Sequence, residues 1–154
     1  MRADIVDVSA IRIATIRHRG PYNRISEAFA KLGAIAAPEN LLVHPESKMI
    51  AVYYDDPETT AAENLRSDAG IAIPADLALP AGLGEVNIHA GRYARGLHVG
   101  TYEKLGDTWA RLMGEWLPKS GERIGEGVSF EVYRNTPETA KEADLKTEIY
   151  VPLA

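Results

Sequence analysis

The sequence has no cysteine, no long apolar run and a deficit of positive charge, and each shortage closes off a class of function. Without cysteine there is no disulfide framework, no thiol nucleophile and no thiolate metal site, which suits a reducing compartment. No apolar stretch approaches the roughly 20 residues of a membrane helix. The start, Met1-Arg2-Ala3-Asp4-Ile5-Val6-Asp7, lacks the apolar core of a signal peptide, so a cytoplasmic protein with no membrane partner is expected. Lysine and arginine total 17 against 22 acids, a net charge of −5, and no basic run offsets it. A phosphate backbone would be repelled, and direct nucleic-acid binding is not expected. His44 and His89 have no neighbours at metal-ligand spacing, Ser9, Ser26 and Ser129 sit in no nucleophile elbow, and Gly91, Gly96 and Gly100 form no phosphate loop. Neither a metal nor a cofactor is expected.

What is present is a repeat. At a shift of 80 residues (98 − 18 = 80), His18 meets His98, Gly20 meets Gly100 and Tyr22 meets Tyr102. The same register pairs Leu32 with Leu112, Pro38 with Pro118, Val52-Tyr53 with Val132-Tyr133, and Pro57-Glu58-Thr59 with Pro137-Glu138-Thr139. The expected organisation is one domain over 1–154, built of two pseudo-symmetric copies, about 1–80 and 81–154.

Each copy reads as strand, helix, strand, strand. Ile11 to Ile16 alternates at period two, and Gly20-Pro21 closes that strand. Ile25, Ala28, Phe29, Leu32 and Ile35 make one face of a helix from Tyr22 to about Ala36, stopped by Pro38, with a loop from Asn40 to Lys48. Strands at Met49–Tyr54 and Ala69–Ile73 follow, then an apolar connector, Ala75 to Gly84. In the second copy the strand Arg92–Val99 precedes a helix from Tyr102 to Leu117, with Leu105, Trp109, Leu112, Met113 and Trp116 on one face. Strands at Phe130–Arg134 and Ile149–Leu153 complete it. The fold class is α+β, with mainly antiparallel sheets around a central groove.

Period two puts Phe130 and Val132 on one strand face and Glu131 and Tyr133 on the other. If the first pair meets the helix, Glu131 looks into the groove, where its counterpart at the shift of 80 is Ala51. Gly70 and Ala72 are small where Tyr150 and Pro152 are large, so one groove wall is roomy and the other aromatic. A lone carboxylate among rings suits a lipophilic cation or aromatic molecule. The alternatives are acid–base work by Glu131 and an ordinary strand carboxylate paired with Arg134, Arg92 or Arg95. Trp109 matches Phe29 and reads as core, whereas Trp116 matches Ala36 and is available to a ligand. His18 and His98 read as turn residues.

The stretches Ala51-Val52-Tyr53-Tyr54-Asp55-Asp56-Pro57, Phe130-Glu131-Val132-Tyr133-Arg134-Asn135 and Glu148-Ile149-Tyr150-Val151-Pro152 resemble the GyrI-like proteins over nearly the whole chain. The resemblance implies a small-molecule-binding domain of the kind that serves AraC-type and MerR-type regulators as an effector-binding domain. It implies Glu131 as the groove acid, with Tyr53, Tyr133 and Tyr150 lining it. Trp116 joins them from its position in the repeat. It also implies two alternatives, hydrolysis of cyclopropane-type toxins by Glu131 and inhibition of DNA gyrase as a protein partner. Arg134 stands where the family motif carries an apolar residue, and beside the groove it would weaken attraction for cations.

Overall fold

The computed structural model describes residues 2–43 and 47–154, so the expectation for His44 lies outside the described residues. In chain order the elements are β1 (Ala3–Val8), β2 (Ile11–Arg19), α1 (Ser26–Ala36), β3 (Met49–Tyr53), β4 (Arg66–Ala72) and β5 (Gly84–Ile88). They continue with β6 (Gly91–Val99), α2 (Leu105–Arg111), a π-helical turn Leu112–Trp116, α3 (Leu117–Ser120), β7 (Ser129–Tyr133) and β8 (Lys146–Pro152). The described ladders are antiparallel, and the class is α+β as expected.

The chain divides into two compact units, Ala10–Ile88 and Met1–Ser9 with His89–Ala154. Within the first, the strands lie in the order β3-β4-β2-β5. Ala28, Leu32 and Ala36 of α1 pack on Ala14, Ala69 and Ile71 of the sheet. Each fully buried side chain of the size of Leu32 or Ile71 stabilises the unit by about 1.5–3 kcal/mol. Within the second unit the order is β7-β8-β6-β1. There Leu112 and Leu117, with Leu105, Trp109 and Trp116, cover Ala94, Ile149 and Val151.

Both units carry a fourth strand that sequence patterning misses. β1 reads Ala-Asp-Ile-Val-Asp-Val, which has no clean period of two, and β5 is five residues long and begins on a glycine. The strand beside β6 is β1, from the start of the chain, and the strand beside β2 is β5, at residues 84–88. Unit boundaries therefore fall near residues 9 and 88 rather than near 80.

The turn signals behave as their chemistry requires. Gly20 and Gly100 have φ of 126° and 121°, a region costly for any residue with a Cβ, and their N–H groups bond the carbonyls of Leu65 and Leu145 at 2.8 Å. His18 Nε2 lies 3.0 Å from the Pro21 carbonyl oxygen and His98 Nε2 lies 2.8 Å from that of Thr101, so both rings tie their turns. The helices diverge at the two prolines. α1 ends at Ala36, before Pro38, but the second helical run continues past Pro118 to Ser120. A proline ring crowds the carbonyl four residues back, and the wider π turn just before Pro118 relieves that crowding.

Candidate functional site

The face assignment around Glu131 is the reverse of the one expected from periodicity. Glu131 pairs with Ile149, and Ile149 belongs to the cluster covered by the α2–α3 run, so Glu131 faces the helix. Its side chain is 2% exposed; Trp109 Nε1 donates to Oε1 at 3.3 Å and the Tyr133 hydroxyl donates to Oε2 at 3.4 Å. Tyr133 packs edge-on against Tyr102, centroids 5.5 Å apart, and Trp116 packs on the core beneath the helix. Tyr53 belongs to the other unit, 4.7 Å from the ring of Tyr22. Of the five residues expected to meet a ligand, Glu131, Tyr133 and Trp116 lie on the helix side of one unit, and Tyr53 belongs to the other unit.

Tyr150 alone lies on the opposite face, and the partners there were not singled out from the sequence. Phe130 and Tyr150 are cross-strand partners whose rings stack 4.5 Å apart at an interplanar angle of 7°, with Tyr93 edge-on to both. Next on that face is Glu148, opposite Val132. Arg134 Nη2 donates to Glu148 Oε2 at 2.6 Å, the Tyr150 hydroxyl donates to Oε1 at 3.1 Å, and Arg95 Nη1 stands 3.8 Å from Oε2. Burial, and then the negative charge of Glu148, pushes the Tyr150 hydroxyl above its ordinary value. The hydroxyl therefore stays protonated and keeps donating to the carboxylate.

Glu148 forms part of the wall of a cavity of about 400 Å³, within the 300–1,000 Å³ range of small-molecule sites. Arg2, Arg95, Arg111 and Arg134 line it, together with Asp4. Leu97 and Thr108 complete the wall. No basic run exists along the sequence, yet folding collects these four arginines from positions 2, 95, 111 and 134. The other unit has a carboxylate at the matching place. Asp68, 2% exposed, accepts from Arg17 Nε at 2.6 Å and from the Tyr54 hydroxyl at 2.5 Å, and it borders a cavity of about 300 Å³. Burial and then Asp68 hold the Tyr54 hydroxyl above its ordinary value.

Glu148 and Asp68 are themselves related by the shift of 80 (148 − 68 = 80). That was the signal available in the sequence: an acid kept in both halves, on a strand, two residues before Tyr150 in one half and Gly70 in the other. Among the described residues no three His, Asp or Glu side chains converge as a metal site would need.

Helix-covered antiparallel sheets, each with a cavity beside a buried carboxylate, define an α+β domain. The family of GyrI-like small molecule binding domains matches residues 1–154, and the chain belongs to it. It is 30% identical over 152 residues to a probable transcriptional regulator, YgiV, of Escherichia coli K12, covering 98% of this chain and 95% of that one. A DNA gyrase inhibitor of Erwinia billingiae is 32% identical over 161 residues, covering 100% and 98%. Among solved structures the EcmrR C-terminal domain superposes with a TM-score of 0.76 at 17% identity, covering 99% of this chain and 97% of that one, a likeness of fold.

Proposed function

We propose that this domain binds an aromatic or otherwise lipophilic small molecule at the cavity bordered by Glu148, with the Tyr150 ring beside it. The observation that carries the reading is a buried carboxylate, 9% exposed, bonded on both oxygens and set in the wall of a cavity large enough for a small ligand. Folding has given up solvation of that charge to hold two arginines and a tyrosine in fixed positions, which is the preorganisation a binding site needs. In this reading Glu148 is the acid of the site, and it acts by holding Arg134, Arg95 and Tyr150 in place. Hydrolysis by Glu131 is the alternative reading, and the formation of product decides it.

The test is a thermal-shift screen of wild type, Glu148→Gln and Glu131→Gln against small aromatic molecules, with product masses followed in parallel. A bound ligand raises the melting temperature by mass action. Shifts lost in Glu148→Gln and kept in Glu131→Gln support the assignment. The reverse pattern refutes it, and product masses would favour hydrolysis. Modulation of DNA gyrase is a second reading, favoured by the name of the Erwinia relative. A supercoiling assay decides it, and inhibition unchanged in Glu148→Gln would separate that activity from the cavity.

A further inference from the structure

Although the chain as a whole carries −5, its cavity carries the opposite sign. Four arginines and two carboxylates, Asp4 and Glu148, line it, a local balance of +2. The two acids are committed to protein partners. Glu148 is bonded to Arg134 and lies 3.8 Å from Arg95, whose other terminal nitrogen is 3.6 Å from Asp4. Arg2 and Arg111 have no acid partner among the described residues.

Resting on the binding reading above, we infer that the cavity selects organic anions, an aromatic or aliphatic body bearing a carboxylate or phosphonate. In this arrangement Glu148 is not the counter-charge of a ligand. It is the anchor that fixes Arg95 and Arg134, while Arg2 and Arg111 supply the charge that the ligand answers. Guanidinium suits this task because its planar fork meets an oxyanion with two parallel N–H donors. A cation entering the same space would meet the positive charges of Arg2 and Arg111 and find the buried carboxylate of the wall, Glu148, already bonded. The matching place in the other unit has no such surplus of positive charge, since Arg17 is the one arginine among the described residues of its lining and is bonded to Asp68, and Glu85 there is paired with Arg12.

The sharpest comparison is with position 134. Where Arg134 bonds Glu148, the shift of 80 places Tyr54, whose hydroxyl bonds Asp68. Replacing Arg134 by tyrosine removes a positive charge while keeping a donor to the carboxylate, so it moves the cavity from +2 to +1 without emptying the Glu148 bond.

The experiment titrates full-length protein with four probes of one shape, benzoate, benzylphosphonate, benzyl alcohol and benzyltrimethylammonium, followed by amide NMR shifts at Leu97, Thr108 and Glu148. Wild type should bind benzylphosphonate at least about 10-fold more tightly than benzyl alcohol, and benzyltrimethylammonium most weakly. Arg111→Gln, on the exposed side of α2, should weaken the anions by about 5- to 10-fold and leave benzyl alcohol unchanged, and Arg134→Tyr should narrow the preference in the same direction. Anion binding should fall as salt rises. If the cation or the neutral probe binds as well as the anions with shifts at the same three amides, the charge inference is overturned and the binding site stands. If no probe shifts those amides at about 10 mM, both are overturned.

Discussion

The pair Arg134–Glu148 is the contact on which the site assignment turns, and its strength can be anticipated. Exposed ion pairs contribute about 0.2–1 kcal/mol, and removing one partner of a fully buried pair costs about 3–5 kcal/mol. Here the Glu148 side chain is 12% exposed and the Arg134 side chain 45%, at 2.6 Å. The pair sits between those limits, nearer the exposed one because water reaches the arginine, and a coupling of about 1–2 kcal/mol is expected. The perturbation is a double-mutant cycle of Glu148→Gln, Arg134→Gln and the double variant, read by urea unfolding. Glutamine keeps an acceptor for the Tyr150 hydroxyl, so the cycle reports the charge and not the loss of that bond. With a slope of about 2 kcal/mol per molar urea, Glu148→Gln alone should lower the midpoint by about 0.5–1 M. If the two single effects add to within about 0.3 kcal/mol, the contact contributes nothing and the account of Glu148 as an arginine anchor fails.

Two further perturbations test the packing and the buried tyrosines. A Cβ on Gly70 would stand 2.3 Å from Ile13 Cγ2 and 3.3 Å from the Ile50 carbonyl oxygen, so Gly70→Ala should destabilise by about 1–3 kcal/mol through overpacking. Chemical denaturation measures this, and a neutral result would mean that the sheet yields there. Tyr22, Tyr54, Tyr93 and Tyr150 are all raised above the ordinary tyrosine value, burial being the first cause in each. A raised folded value means that the unfolded chain loses these protons first. The associated stability is therefore complete below about pH 10 and falls as pH climbs through the folded values. Ultraviolet titration of the native protein should show these hydroxyls ionising late and together with unfolding, and ordinary titration near pH 10 before any unfolding would contradict their burial.

Element types were legible because most segments are long and periodic. Ile25, Ala28, Phe29, Leu32 and Ile35 announce α1, and the alternation of Ile11 to Ile16 announces β2. What was not legible is which face of a strand meets the helix. A period of two divides residues into sets without labelling them, and β7 reads Ser-Phe-Glu-Val-Tyr, where Phe130 and Val132 look like the covered set. In the fold it is Ile149 of the neighbouring strand that touches the helix cluster, and register then carries Glu131 to that side. The arginine cluster was hidden for another reason. Its members are scattered from position 2 to 134, and only the pairing of β1 with β6 and of β7 with β8 gathers them.

The contrast between Glu131 and its counterpart Ala51 has a structural cause in the fold. Glu131 attracted attention because its counterpart is Ala51, and a difference between copies looked like function. The helix above it offers a simpler cause. The shift of 80 sets Trp109 against Phe29, and an indole N–H buried at a sheet needs an acceptor where a phenyl ring needs none. Glu131 Oε1 accepts from Trp109 Nε1, so ring and acid vary together between the copies. At 148 and 68, by contrast, both copies keep a buried carboxylate that takes one bond from an arginine and one from a tyrosine. One donor position is shared but its residue is exchanged, Tyr54 for Arg134, and the other position differs, Arg17 serving Asp68 and Tyr150 serving Glu148. A carboxylate retained while its partners are exchanged is a fixed charge around which each unit sets its own local electrostatics, and in the second unit the exchange has left that charge surrounded by arginine.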